Sequence, residues 1–122
     1  MYSGNHTQIA IANTYHSYTI LLKEVIKKTR PELTNKVDVI NLIRELKGDY
    51  QYIFFDADDI PEESIQSLYQ LIENKESVFI IYSYFEENPL KINRDNVYYF
   101  SKDEPLQSIV NVVKTAFLKK TS

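Results

Sequence analysis

Asp56, Ser83 and Lys102 supply an acid, a hydroxyl and an amine, each at or just beyond the end of a short strand-like run, and Asn13 and Thr14 stand in the equivalent place after an earlier run. A carboxylate can attack an electrophile or hold a cation, and a fixed ammonium can meet the charge of a group being transferred. Taken singly, each residue has a plainer reading. Asp56 could close a turn or cap the helix that follows, Ser83 could be a turn residue, and Lys102 an ordinary surface lysine. Their joint order along the chain is what groups them. Asp58 and Asp59 add two carboxylates in the loop after Asp56, where solvation is the expected state.

Five runs could position this set: Gln8 to Ala12, Lys36 to Ile40, Tyr52 to Asp56, Ser77 to Tyr82 and Val97 to Phe100. All are short and rich in β-branched or aromatic residues, which predicts strands. Helical patterns lie between them. Tyr15 to Thr29 repeats Tyr18, Leu21, Leu22 and Val25 at helical spacing, with Asn13 or Thr14 as the expected N-cap. Asn41 to Lys47 predicts a brief second helix ended by Gly48. Pro61-Glu62-Glu63 opens a third, with Ile65, Leu68 and Ile72 as its buried stripe. Leu106, Ile109, Val110, Val113 and Phe117 mark a last helix after Asp103-Glu104-Pro105. Alternation of this kind implies an α/β, doubly wound parallel sheet covered on both faces. Its functional crevice would lie outside the carboxyl ends of the strands, where Asn13, Asp56, Ser83 and Lys102 fall.

Composition narrows the function. The chain has 122 residues, 43% of them hydrophobic, which suits one domain over 1–122 and not two. Its net charge of -3, without a basic stripe, argues against nucleic-acid binding by this domain. With no cysteine, thiol catalysis and thiolate metal sites are excluded. The most apolar stretches, such as Val78 to Tyr82, are strand-length, and Met1 to His6 carries no apolar signal segment. A soluble cytoplasmic protein with no membrane association is the expectation. The ten tyrosines suit half-buried sheet and helix positions, and His6 and His16 are given no role.

Over essentially its whole length the chain resembles the receiver domain of bacterial response regulators, most closely receivers joined to LuxR-type DNA-binding domains. Phe54-Phe55-Asp56, followed by Pro61, resembles the family's phospho-acceptor strand, and Ser83 its phosphoryl-reading hydroxyl. Tyr98-Tyr99-Phe100-Ser101-Lys102-Asp103 resembles the family's fifth strand, with Tyr99 as switch aromatic and Lys102 as its characteristic lysine. The resemblance implies a flavodoxin-like receiver fold of strand order 2-1-3-4-5 and a role in two-component signal transduction. It also implies a magnesium site on an acidic pair, but Asn13 and Thr14 are neutral where that pair would stand. Asp56 and Asp58 are then the remaining metal candidates, and magnesium affinity is expected to be low. Tyr84, bulky where the family has a small residue, is expected to restrict entry, and the short stretch from Phe85 to Asn96 predicts a stunted fourth helix.

An atypical receiver with weak or absent phosphorylation of Asp56 is therefore expected, signalling through a protein partner or a homodimer, with no catalytic residue assigned. If the domain is cut from a longer regulator, a DNA-binding module would be expected after Ser122. Two alternatives stand beside it. One is a receiver phosphorylated on Asp56. The other is a phosphatase of haloacid-dehalogenase type, because Ile53-Phe54-Phe55-Asp56-Ala57-Asp58 is similar to that family's nucleophile motif. Nucleotide or flavin binding is set aside, since Gly4 and Gly48 are the only glycines and neither makes a phosphate-cradling loop.

Overall fold

The computed structural model of the chain describes residues 8–41, 50–58, 60, 62–74, 76–84 and 92–118. Five strands form one all-parallel sheet: β1 (Ile9–Ala12), β2 (Val37–Ile40), β3 (Tyr52–Asp56), β4 (Val78–Ser83) and β5 (Val97–Ser101). Their order is β2-β1-β3-β4-β5. Each strand falls within a residue or so of its predicted run.

Strands β1, β3 and β4 are buried at every position, as expected of parallel strands covered on both faces. Period-2 alternation divides their side chains between two cores. Ile9, Ile11, Phe54, Ile80 and Tyr82 pack under α1 (His16–Thr29) and α3 (Leu106–Leu118) through Leu22, Val25, Ile26, Ile109, Val113 and Phe117. Ala10, Ile53, Phe55, Phe79 and Ile81 face α2 (Glu62–Asn74) through Leu68 and Ile72. The sheet is thus doubly wound. Tyr52 adds a polar tie, its hydroxyl donating to the Phe117 carbonyl at 3.1 Å while its ring meets Phe117 edge-on at 4.7 Å.

Two expectations change. Helix α1 starts at His16 with Tyr15 as N-cap in an extended conformation and no side-chain cap bond. Asn13 and Thr14 do not cap it because their side chains are spent elsewhere, on the carbonyls of Asp56 and Ala12. Leu106 is 44% exposed and contributes little to the core. The helix predicted over Asn41–Lys47 and the region of the stunted fourth helix lie, apart from Asn41 and residues 92–96, outside the described residues, as do His6, Asp59 and Pro61. Among the described residues no helix is long and apolar enough to cross a membrane.

Candidate functional site

The parallel registers carry the strand ends to one edge of the sheet, with Ala12 level with Phe55, Asp56 with Tyr82, and Ser83 with Ser101. Winding reverses between β1 and β3, so the crevice expected of such sheets opens there. A cleft of about 260 Å³ occupies it, lined by Asn13, Thr14, Tyr15, Asn41, Asp56 and Asp58.

Asp56 continues the alternation of Phe54 and points to the α1/α3 side, where Lys102 continues that of Phe100. Neither charge reaches bulk water. Side-chain exposure is 2% for Asp56 and 3% for Lys102, and Lys102 Nζ donates to Asp56 Oδ2 at 2.6 Å. The same ammonium lies 2.9 Å from Asp58 Oδ2. It also sits 4.6 Å from the centroid of the exposed Tyr84 ring and 5.7 Å from that of Tyr18, distances at which ring faces favour a cation. Backbone bonds fix its origin: the Lys102 N–H donates to the Ser83 carbonyl at 3.0 Å, and the Ser101 N–H to Glu104 Oε2 at 2.6 Å.

Asp58 is the correction. Expected in solvent, its side chain is 9% exposed and turned into the crevice. Asp56 causes this. Its Oδ1 accepts the Asp58 N–H at 2.8 Å, an Asx-turn that folds the chain back on itself. Asp58 Oδ1 then accepts the Ser83 hydroxyl at 2.6 Å, and Oδ2 accepts the Tyr84 N–H at 3.0 Å. The turn reading of Asp56 therefore holds, and the turn is closed by a side chain that faces the crevice. The spacing Asp-x-Asp at a strand end was the signal that could have placed Asp58, since Asp favours such turns.

The electrostatics follow from these contacts. Burial pushes the Asp56 carboxyl above the ordinary carboxylate range, against the pull of Lys102 and the Asp58 amide. Burial acts on Asp58 too, but the bonds from Ser83, Lys102 and Tyr84 outweigh it and hold that carboxyl low. Lys102 is raised, because its two carboxylate partners overcome the effect of its own burial.

Around the triad the remaining positions are neutral. Asn13 holds φ 55, the left-handed conformation that Asn tolerates better than most residues, and its side-chain amide donates to the Asp56 carbonyl at 3.0 Å. Asn13→Ala is expected to destabilise by about 1–3 kcal/mol through strain and the lost bond, and Asn13→Gly by less, measured by urea denaturation. Thr14 Oγ1 donates to the Ala12 carbonyl at 2.8 Å, so the Tyr82 hydroxyl, 2.7 Å away, donates to it. Tyr18 Oη is buried and has no partner among the described residues. Tyr99 lies apart from this cluster, on the α2 side, where its hydroxyl donates to the Ile92 carbonyl at 3.0 Å. His16 is exposed.

These residues do not fit magnesium. Both Oδ2 atoms of the two aspartates face the Lys102 ammonium, their Oδ1 atoms accept from Asp58 N–H and Ser83, and Asn13 and Thr14 bring no charge. Among the described residues no three of His, Cys, Asp and Glu gather as a metal-holding group. The cation of this site is Lys102 itself. Compared with protein-family models, curated proteins and solved structures, the chain matches none.

Proposed function

We propose that the chain is an atypical receiver-like signalling module that acts through protein contacts, with a partner protein or a second copy of itself, and not through phosphorylation of Asp56. The reading rests on one observation above all: the acid at the sheet's switch point is already satisfied from within, by Lys102 on one oxygen and the Asp58 amide on the other. A nucleophile needs an open oxygen and a hard cation to draw in a phosphoryl donor. Each carboxylate oxygen of Asp56 already accepts a bond, and neutral Asn13 and Thr14 stand beside it. Binding of nucleic acid by this domain finds no support in a chain of net charge -3. Cytoplasmic location belongs to the same proposal.

Incubation with magnesium and acetyl phosphate, followed by intact mass, is expected to leave the protein unmodified. Magnesium alone is expected to leave its unfolding midpoint unchanged. A stoichiometric adduct that Asp56→Asn abolishes would overturn the proposal in favour of a phosphorylated receiver.

A second reading draws on the inward turn of Asp58. Two carboxylates two residues apart in one crevice, with a serine and a lysine, also suit a phosphatase whose first aspartate attacks and whose second transfers protons. Turnover of a generic phosphate monoester, lost in both Asp56→Asn and Asp58→Asn, would establish it. The engagement of Asp58 by three donors argues against it, because a general acid must be free to exchange its proton with the leaving group.

A further inference from the structure

The two edges of the sheet are finished differently. At β5 every residue is half-buried or buried. At β2 Asp38 and Val39 are exposed, Val39 by 51%, and no further strand lies beside them among the described residues. The ladder to β1 fixes which way this backbone points. Ile9 N–H donates to the Lys36 carbonyl at 2.9 Å and Asn13 N–H to the Ile40 carbonyl at 3.0 Å, in a register that sets Ile9 level with Val37 and Ile11 with Val39. In a parallel pair this gives Lys36, Asp38 and Ile40 the bonds to β1 and turns the N–H and C=O groups of Val37 and Val39 outward. An outward row of donors and acceptors is a template for another strand.

Charge decides what this template accepts. Lys36 and Asp38 are both exposed and, two residues apart, share one face of the strand. Ile40, next on that face, packs on the α2 side with Tyr50, whose hydroxyl donates to Asp38 Oδ2 at 3.0 Å and so holds the carboxylate in place. Lys36 has no ion-pair partner among the described residues. An antiparallel copy of β2 must set outward residue against outward residue, which leaves three symmetric registers, with the two-fold axis at Val37, Asp38 or Val39. An axis at Asp38 sets two like carboxylates against each other, and one at Val39 sets Asp38 against the partner's Ile40. An axis at Val37 sets Lys36 against the partner's Asp38, and Asp38 against the partner's Lys36. Both pairs then fall at non-hydrogen-bonded positions, where facing side chains come closest, while the two Val37 residues exchange N–H···O bonds.

We propose that β2 is a homodimerisation edge: a second copy of the chain adds antiparallel across Val37, held by reciprocal Lys36–Asp38 pairs, so that one sheet runs through both protomers. The charges that guard the edge against other strands select this one. Taking the second copy as the partner in signalling rests on the proposed function, while the pairing itself stands on backbone direction and charge.

Sedimentation equilibrium of the full chain tests it. Wild type is expected to move from monomer toward dimer mass between about 10 μM and about 1 mM, since one strand edge makes a contact smaller than a standard interface. Lys36→Asp and Asp38→Lys each put like charges across the axis, and each is expected to weaken self-association by about tenfold or more. Mixed one to one, the two variants present opposite charges to each other at both positions and are expected to pair as wild type does. The double variant carrying both substitutions should also regain the dimer. Should Asp38→Lys not fold, Asp38→Asn, which keeps an acceptor for Tyr50, is expected to weaken the dimer in its place. A monomer throughout the range would overturn the proposal, as would a dimer that the single variants leave intact or a mixture that stays monomeric. The two ideas fail separately. An Asp56 adduct formed with acetyl phosphate removes the non-phosphorylated reading without touching the pairing, whereas a monomeric wild type removes the pairing and leaves a different protein as the partner.

Discussion

Lys102→Met is expected to destabilise the protein by about 3–5 kcal/mol, because it strands two carboxylates beside each other at a nearly dry sheet edge. The ammonium is the charge that both Asp56 and Asp58 face, at 2.6 and 2.9 Å, and their side chains are 2% and 9% exposed. Against a typical domain stability of about 5–15 kcal/mol this is a large fraction. Urea denaturation gives the value directly, and the unfolding midpoint should fall by about 10–20 °C. Asp56→Asn should cost far less, since Lys102 keeps Asp58 and burial already disfavours the Asp56 charge. A Lys102→Met variant as stable as Asp56→Asn would show that the triad is not the organising charge of the site.

The pH profile of that difference carries the sign. Lys102 is raised in the folded state, so its stabilisation is fully present below its unfolded value of roughly 10.4 and is lost as pH rises through the folded one. Asp58 is held low, so its share is present above roughly 3.9 and is lost as pH falls through its folded value. Asp56 is raised and acts in the opposite sense, favouring the folded state as pH falls toward roughly 3.9. The acid limb is therefore blunted and the alkaline limb steep. Buried Tyr82, also raised, steepens the alkaline limb in both proteins, so the gap between wild type and Lys102→Met isolates the lysine. That gap is expected to narrow above roughly pH 10.4.

Tyr82→Ala is the second large effect, with an expected loss of about 3–5 kcal/mol, against about 1 kcal/mol for Tyr82→Phe. The residue is fully buried in β4, its ring stacked on Phe100 at 5.1 Å and tilted against Tyr18 at 5.4 Å. Truncation leaves a cavity directly beneath the Asp56–Lys102 pair, whereas the phenylalanine keeps both ring contacts and loses only the bond to Thr14. Chemical denaturation of the two variants side by side checks the ratio. Equal losses would mean that the hydroxyl, and not the ring, holds this layer together.

The strands and three of the helices could be read from the chain because each is a run whose period and composition speak locally, and the order 2-1-3-4-5 followed from the resemblance. The site was legible in part. Strand ends point to a shared edge, so Asp56, Ser83 and Lys102 could be grouped before any coordinates. Local pattern does not say which way a loop residue turns, and Asp58 turned inward for a reason that lies in Asp56's own side chain. Tyr82 was read only as part of an apolar run, although its hydroxyl reaches Thr14 across the sheet edge. Such a bond spans 68 residues of sequence and leaves no local mark. Tyr99 shares its strand with Phe100, but alternation sends it to the other face, away from the charged cluster.

The interior strand β4 has one more consequence, for what happens when the protein opens. Val78-Phe79-Ile80-Ile81-Tyr82 is uncharged, free of proline and glycine, and made of residues that favour extended pairing. In the native sheet β3 and β5 cover both of its edges. Glu76 is the near acidic gatekeeper on its amino side. Variants that loosen the Asp56–Lys102–Asp58 cluster above it should therefore declare themselves first as turbidity during expression or heating.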